Sequence, residues 1–254
     1  MTKRAVAVDL DGTLLNNQRV VSARNAEALL KAAERGWTII LATARPLRTT
    51  RMIVPDAFYP FYWALCNGAW LLKDGEILHR SEIPHDEMHR MVGLFTREGW
   101  PFQVEAEDRM FTDSSVPDGF LGEYYPLSEL GQHDACKLIV NVASAQEADA
   151  VLETIPEEYI GIVTDGGRLI QISHVQCHKV AAVQRVLEWE NISLNDTIAF
   201  GDDNNDLSLI KAAGVGVAMG NATPEVKAAA DHVALTNDED GVAEFLEKAI
   251  RTQP

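Results

Sequence analysis

Apolar residues in this chain come in short blocks, and several of the blocks stop abruptly at polar residues. Ala5-Val6-Ala7-Val8 is an uninterrupted apolar run, ended by Asp9 and Asp11 and followed by Gly12-Thr13. Alternate side chains of a strand share a face, so Asp9 and Asp11 start out pointing the same way. Ser22 is placed to cap a helix carrying Ala26, Leu29, Leu30 and Ala33 on one face, with Gly36 as its stop. A second apolar run, Trp37 to Thr43, ends in Ala44-Arg45-Pro46, where Pro46 suits the first turn of a helix. A third, Trp63 to Cys66, ends at Asn67-Gly68. Trp70-Leu72 and Glu76-Leu78 then flank Lys73-Asp74-Gly75, a hairpin signal.

From about Ile83 the texture changes. Pro84 to Glu98 has helical spacing, with Met88, Met91, Val92 and Phe95 on the apolar side. Extended pieces follow near Phe102-Val104 and Met110-Thr112, and the stretch 115–135 reads as irregular. A strand at Lys137-Val142 precedes a helix begun by Ser144, with Glu147 completing a capping box. Ile160-Thr164 and Arg168-Ser173 form a second hairpin around Asp165-Gly166-Gly167. The strand–helix alternation resumes at Lys179 with a helix to about Asn191 bearing Val180, Val183, Val186 and Leu187. Thr197-Phe200 is a buried strand ending in Gly201-Asp202-Asp203-Asn204-Asn205-Asp206. A helix with Leu207, Leu209 and Ile210, a strand at 215–219, a helix from Thr223-Pro224, an edge strand at 233–235 and an amphipathic terminal helix complete the chain. Alternation of helices with fully apolar strands indicates a parallel sheet covered on both faces. The fold expected is α/β: a Rossmann-like parallel-sheet core in two segments, 1–82 and 177–254, with an α+β domain inserted over 83–176.

Four strands thus end in polar clusters: Asp9/Asp11, Thr43/Arg45, Asn67 and Asp202/Asn205/Asp206. Ligands of open α/β sheets bind beyond the carboxyl ends of the strands. If these strands are parallel neighbours, carboxylates, an alcohol, a guanidinium and an amide converge on one rim.

Composition narrows the partners. The 254 residues carry a formal net charge of −16, which argues against nucleic acid or an anionic membrane as partner. No apolar run approaches the roughly 20 residues that span a bilayer. Met1-Thr2-Lys3-Arg4 leads directly into the first strand, so no signal peptide is expected. Three widely spaced cysteines, Cys66, Cys136 and Cys177, suggest neither a disulfide framework nor a zinc site, and read as core residues in a cytoplasmic protein.

Asp9-Leu10-Asp11-Gly12-Thr13-Leu14-Leu15 together with Gly201-Asp202-Asp203-Asn204-Asn205-Asp206 resembles the haloacid dehalogenase superfamily, closest to its Cof-like branch with a type IIB cap inserted after the second motif. The resemblance spans essentially the whole chain. It implies a phosphatase acting on a small phosphorylated metabolite, sugar phosphates by default. In that scheme Asp9 is the nucleophile that forms an aspartyl-phosphate, and Asp11 protonates the leaving alkoxide and then activates water. Mg²⁺ would lie among the Asp9 carboxylate, the Asp11 backbone carbonyl, Asp202 and a phosphate oxygen. Thr43 and Lys179 would bind the transferring phosphoryl. Asn205 and Asp206 would orient Lys179 or metal-bound water, Gly12 supports the Asp11 turn, and Arg45 and Asn67 are candidates for holding phosphate or nearby substrate oxygens. Two positions depart from the family pattern: Ala44 and Val180 stand where Gly often follows the Thr and the Lys.

The charges demand a cation. Two like charges about 4 Å apart repel by about 1 kcal/mol in water and about 4 at a surface-like dielectric. Several carboxylates and a phosphate dianion therefore need Mg²⁺, Lys179 and Arg45 among them. Asp11 also separates reactions within the superfamily, because a halide leaves without a proton and an alkoxide needs one. It does not separate a phosphatase from a phosphomutase, and a non-catalytic phosphometabolite-binding regulator is the alternative from another class. His174 and His178 read as bystanders. Trp100, Phe102, Phe111 and Tyr124 read as cap core, with stacking on a cofactor ring such as pyridoxal phosphate or flavin mononucleotide as the other use.

Overall fold

The computed structural model describes residues 4–113 and 123–252. Along the chain, strand β1 (Ala5–Val8), helix α1 (Ala23–Glu34), β2 (Thr38–Ala42), α2 (Leu47–Arg51), β3 (Tyr62–Leu65), β4 (Trp70–Lys73) and β5 (Glu76–Arg80) come first. The middle holds α3 (His85–Glu98), β6 (Phe102–Ala106), β7 (Arg109–Phe111), β8 (Tyr124–Tyr125), β9 (Lys137–Asn141), α4 (Ala145–Leu152), β10 (Tyr159–Thr164) and β11 (Leu169–His174). The last part is α5 (Lys179–Glu190), β12 (Thr197–Gly201), α6 (Leu207–Ala212), β13 (Val215–Ala218), α7 (Pro224–Ala229), β14 (His232–Val233) and α8 (Gly241–Arg251). Two compact units result: residues 1–79 with 178–254, and residues 80–177.

The first unit is an eight-stranded sheet in the order β14-β13-β12-β1-β2-β3-β4-β5. Strands β14 to β3 run parallel, and β4 turns back antiparallel to β3. Every residue of β1 and β12 is buried, as a parallel sheet covered on both faces requires. The order β12-β1-β2-β3 makes neighbours of the four strands with polar ends. Between β4 and β5, Asp74 (φ 52°) and Gly75 (φ 77°) give the paired positive φ of a tight hairpin turn.

The buried side of α1 is rotated from the one its apolar spacing suggests. Asn25, Ala28, Leu29 and Ala32 are buried, while Ala26, Leu30 and Ala33 are only half-buried. The reason is Asn25, whose Oδ1 accepts from the Ala243 N–H at 2.9 Å in the first turn of α8. A polar residue therefore leads the packed stripe. Pro46 sits one position before α2 and not inside it.

The second unit is a six-stranded sheet in the order β10-β11-β9-β6-β7-β8. Its core joins Met88, Met91, Val92 and Phe95 of α3 to Phe102, Val104, Phe111, Leu138, Val140, Ile170 and Ile172. Phe102 and Phe111 are core residues, Trp100 packs against that core, and the tyrosine that does so is Tyr125, the neighbour of the expected Tyr124. The Ser144 side chain accepts from the Glu147 N–H, but the Glu147 carboxylate accepts from Ala143 N–H, one residue before the expected partner. Of the stretch read as irregular, residues 115–122 lie outside the described residues. The rest carries β8 and a single turn at Leu127–Glu129. No helix among the described residues is long and apolar enough to cross a membrane.

Candidate active site

Asp9 leaves β1 with its backbone still in register, its N–H donating to Phe200 O at 3.2 Å. The chain then coils tightly, with Leu14 N–H to Asp9 O and Leu15 N–H to Leu10 O. Gly12 lies in the left-handed region (φ 76°), and a Cβ there would sit 2.2 Å from Asp202 Oδ2. Only glycine allows the turn and the carboxylate to approach so closely. At the end of β12, a Cβ on Gly201 would lie 2.4 Å from the Asp206 side chain. That room lets Asp206 fold back, where its Oδ2 accepts from the N–H groups of Asp202 (3.1 Å) and Asp203 (3.3 Å).

Lys179, the first residue of α5, is 1% exposed and joins the two strand ends. Its Nζ donates to Asp9 Oδ1 and to Asp206 Oδ1, each at 2.6 Å. His178 holds the start of this helix, its Nδ1 accepting from the Ala181 N–H at 3.2 Å. Burial on its own would push the Lys179 ammonium down, but the charges and hydrogen bonds of Asp206 and Asp9 win, and its pKa is raised. Lys179 therefore stays charged.

The carboxylates of Asp9, Asp202 and Asp206 have ligand atoms within 4.8 Å of one another. Burial pushes Asp9 up to about 8 despite Lys179, with Asp206 and Asp202 adding repulsion. Burial likewise pushes Asp202 up to about 6, against the hydrogen bond it takes from Thr13. Their oxygens are unequally free. Both Asp206 oxygens are spent on Lys179 and backbone N–H groups, and Asp202 Oδ1 accepts from Thr13 Oγ1 at 2.8 Å. Asp9 Oδ2 and Asp202 Oδ2 have no hydrogen bond among the described residues. Two crowded carboxylate oxygens without donors fit a hard divalent cation.

Thr43 is buried at the end of β2, its Oγ1 accepting from Arg45 N–H at 3.1 Å, which leaves the hydroxyl proton to donate. The next strand end is pinned to this loop: Asn67 N–H donates to Thr43 O at 2.8 Å and Cys66 N–H to Arg45 O at 3.0 Å. Cys66 (φ 50°) and Asn67 (φ 57°) are both left-handed, a costly backbone for non-glycine residues. The side-chain Oδ1 of Asn67 is buried without a hydrogen-bond partner among the described residues.

Arg45 is committed differently from its expected use. Its Nε and Nη2 each donate at 2.5 Å to the two oxygens of Asp11, a bidentate fork. Asn205 makes no side-chain hydrogen bond among the described residues, so the hold on Lys179 is that of Asp206. Two contributors were not singled out from sequence. Thr13 lies inside the Asp-Gly-Thr run and was open to notice there. Asn221, whose Nδ2 donates to Gly12 O at 2.7 Å, lies in a turn far along the chain and carries no local signal.

The profile of the haloacid dehalogenase-like hydrolases matches residues 6–246. The chain belongs to this family. Within it, the 5-amino-6-(5-phospho-D-ribitylamino)uracil phosphatase YcsE of Bacillus subtilis is 29% identical over 249 residues, covering 98% of this chain and 94% of that protein. The pyridoxal phosphate phosphatase YbhA of Escherichia coli is 27% identical over 277 residues, covering 97% and 98%. Among solved structures, a haloacid dehalogenase-like hydrolase from Bacteroides thetaiotaomicron superposes with a TM-score of 0.82 at 25% identity, covering 98% of this chain and all of that one. These relatives agree with the Cof-like branch of the family.

Proposed function

We propose that this protein is a Mg²⁺-dependent phosphatase of small phosphorylated metabolites, working through an aspartyl-phosphate on Asp9. The observation that carries the reading is the buried Asp9, hydrogen-bonded to Lys179 beside Asp202, with a second carboxylate, Asp11, two residues on.

Asp9 attacks phosphorus, so that an Asp9 O–P bond forms as the ester P–O bond breaks, and Asp11 gives the leaving oxygen its proton. A water then loses its proton to Asp11 and attacks phosphorus, and the P–O bond to Asp9 breaks, restoring the carboxylate. Lys179 supplies positive charge beside the nucleophile, and Thr43 Oγ1 can donate to a phosphoryl oxygen. Asp9, Asp202 and the Asp11 backbone carbonyl would hold Mg²⁺, which when bound neutralises charge on the phosphoryl and screens the carboxylates from one another.

The substrates named for the relatives join a phosphate ester to a polyol chain or a heterocycle. A sugar phosphate or a phosphorylated cofactor of that kind is the substrate class proposed here, in a cytoplasmic setting. The test is a phosphate-release screen over sugar phosphates, pyridoxal phosphate, flavin mononucleotide and p-nitrophenyl phosphate, with Mg²⁺ and with EDTA. Release that needs Mg²⁺ supports the reading. Full activity in EDTA, or no release from any ester, contradicts it, and isomerised sugar phosphate without free phosphate would make the protein a mutase.

A further inference from the structure

We infer that Asn221 is a positioning residue for Asp11, acting through the Gly12 carbonyl. The inference rests on the proposed role of Asp11 as the acid that protonates the leaving group. Among the described residues Asp11 is held by its side chain, by a backbone bridge to Leu15 and through the turn that follows. Its half-exposed carboxylate is gripped by Arg45. Its backbone runs into Gly12, which must be glycine because of Asp202 and is consequently the softest joint in the turn. Asn221 Nδ2 fixes that joint by donating to Gly12 O at 2.7 Å.

The donor is itself oriented. Asn221 Oδ1 accepts from the Asn237 N–H at 3.0 Å, so the amide can present only its N–H₂ side to Gly12. Asn237 is buried, and its Nδ2 donates to Leu15 O at 2.9 Å, on the far end of the same loop. Residues more than 200 positions away thus clamp the Asp11 turn at both ends. The turn keeps its own hydrogen bonds, Thr13 N–H and Leu15 N–H to Leu10 O and Leu14 N–H to Asp9 O, without Asn221. Loss of Asn221 therefore leaves the loop folded and releases the Gly12 carbonyl, in the peptide unit one residue beyond Asp11.

A misplaced acid harms esters with basic leaving groups most, because p-nitrophenolate departs without a proton. The experiment measures kcat/KM for aryl phosphates of graded leaving-group acidity, from p-nitrophenyl to phenyl phosphate, with wild type, Asp11→Asn, Asn221→Ala and Asn221→Asp. Asn221→Asp keeps the shape and the acceptor for Asn237 but has no proton for Gly12 O. Both Asn221 variants should lose at least about tenfold more on phenyl phosphate than on p-nitrophenyl phosphate, a fraction of what a positioned general acid supplies. Their thermal midpoints should stay within about 4 °C of wild type. A loss equal on all esters, or none, overturns the inference while leaving Asp11 as the acid if Asp11→Asn alone is selective. Absence of hydrolysis by the wild type overturns the functional reading and the inference with it.

Discussion

Arg45 grips Asp11 with two parallel hydrogen bonds of 2.5 Å, joining the end of β2 to the turn after β1. The fork fixes the direction of the Asp11 carboxylate as well as its charge. Lysine carries the charge without the planar pair of donors. Arg45→Lys should therefore lower kcat/KM about tenfold or more, as expected of a weakened general acid. Steady-state kinetics on a turned-over phosphate ester checks this, and wild-type kinetics in the variant would show the fork to be idle.

Lys179 compensates two buried carboxylates at once. Removing one partner of a buried ion pair costs about 3–5 kcal/mol, because the remaining charge is left without compensation. Lys179→Met should cost stability on that scale in metal-free buffer and abolish turnover. Urea unfolding followed by circular dichroism gives the figure. An unchanged midpoint would mean that Asp9 and Asp206 tolerate each other without the lysine.

Burial raises the proton affinity of Asp9, to about 8, and of Asp202, to about 6. For these acids the folded state holds the proton more tightly than the unfolded chain. Their contribution favours folding at low pH and is lost as pH rises from the ordinary aspartate value through the raised ones. A cation at the site replaces those protons, so metal binding strengthens over the same window. The rise in melting temperature on adding Mg²⁺ should be small at pH 5.5 and large at pH 8. Differential scanning fluorimetry in Mg²⁺ and in EDTA tests the sign, and a gain that shrinks with rising pH would contradict it.

Gln103 on β6 is fully buried, and neither its Nε2 nor its Oε1 finds a hydrogen-bond partner among the described residues. Each such group costs about 1–3 kcal/mol. Gln103→Leu keeps the approximate volume and removes the polar atoms, so it should raise the melting temperature of the inserted unit. A lower melting temperature would show that the amide is satisfied in solution.

The strand that leads to Asp9 and Asp11 was legible in sequence because a fully apolar run breaks at one point, but the period of two does not carry past it, since β1 ends at Val8 and the chain coils after Asp9. The convergence of four polar strand ends followed from the parallel pattern, and the order β12-β1-β2-β3 shows the strands side by side. The rotation of α1 was not legible, because the apolar pattern cannot anticipate a buried Asn25 chosen for a hydrogen bond to Ala243. Arg45 reads from sequence as a candidate for holding phosphate or nearby substrate oxygens, and its pairing with Asp11 was not legible because it depends on how two loops approach each other. Asn221 was invisible for the same reason: its partner is a backbone carbonyl, which leaves no mark on residue type.

Covalent chemistry at Asp9 can be read directly. Wild type and Asp9→Asn are mixed with a turned-over ester and Mg²⁺, quenched in acid within a turnover, and examined by intact-mass and peptide mass spectrometry. The wild type should carry one added phosphoryl group on the peptide containing Asp9, and Asp9→Asn should carry none and release no phosphate. Wild-type turnover by Asp9→Asn would contradict covalent chemistry at that residue.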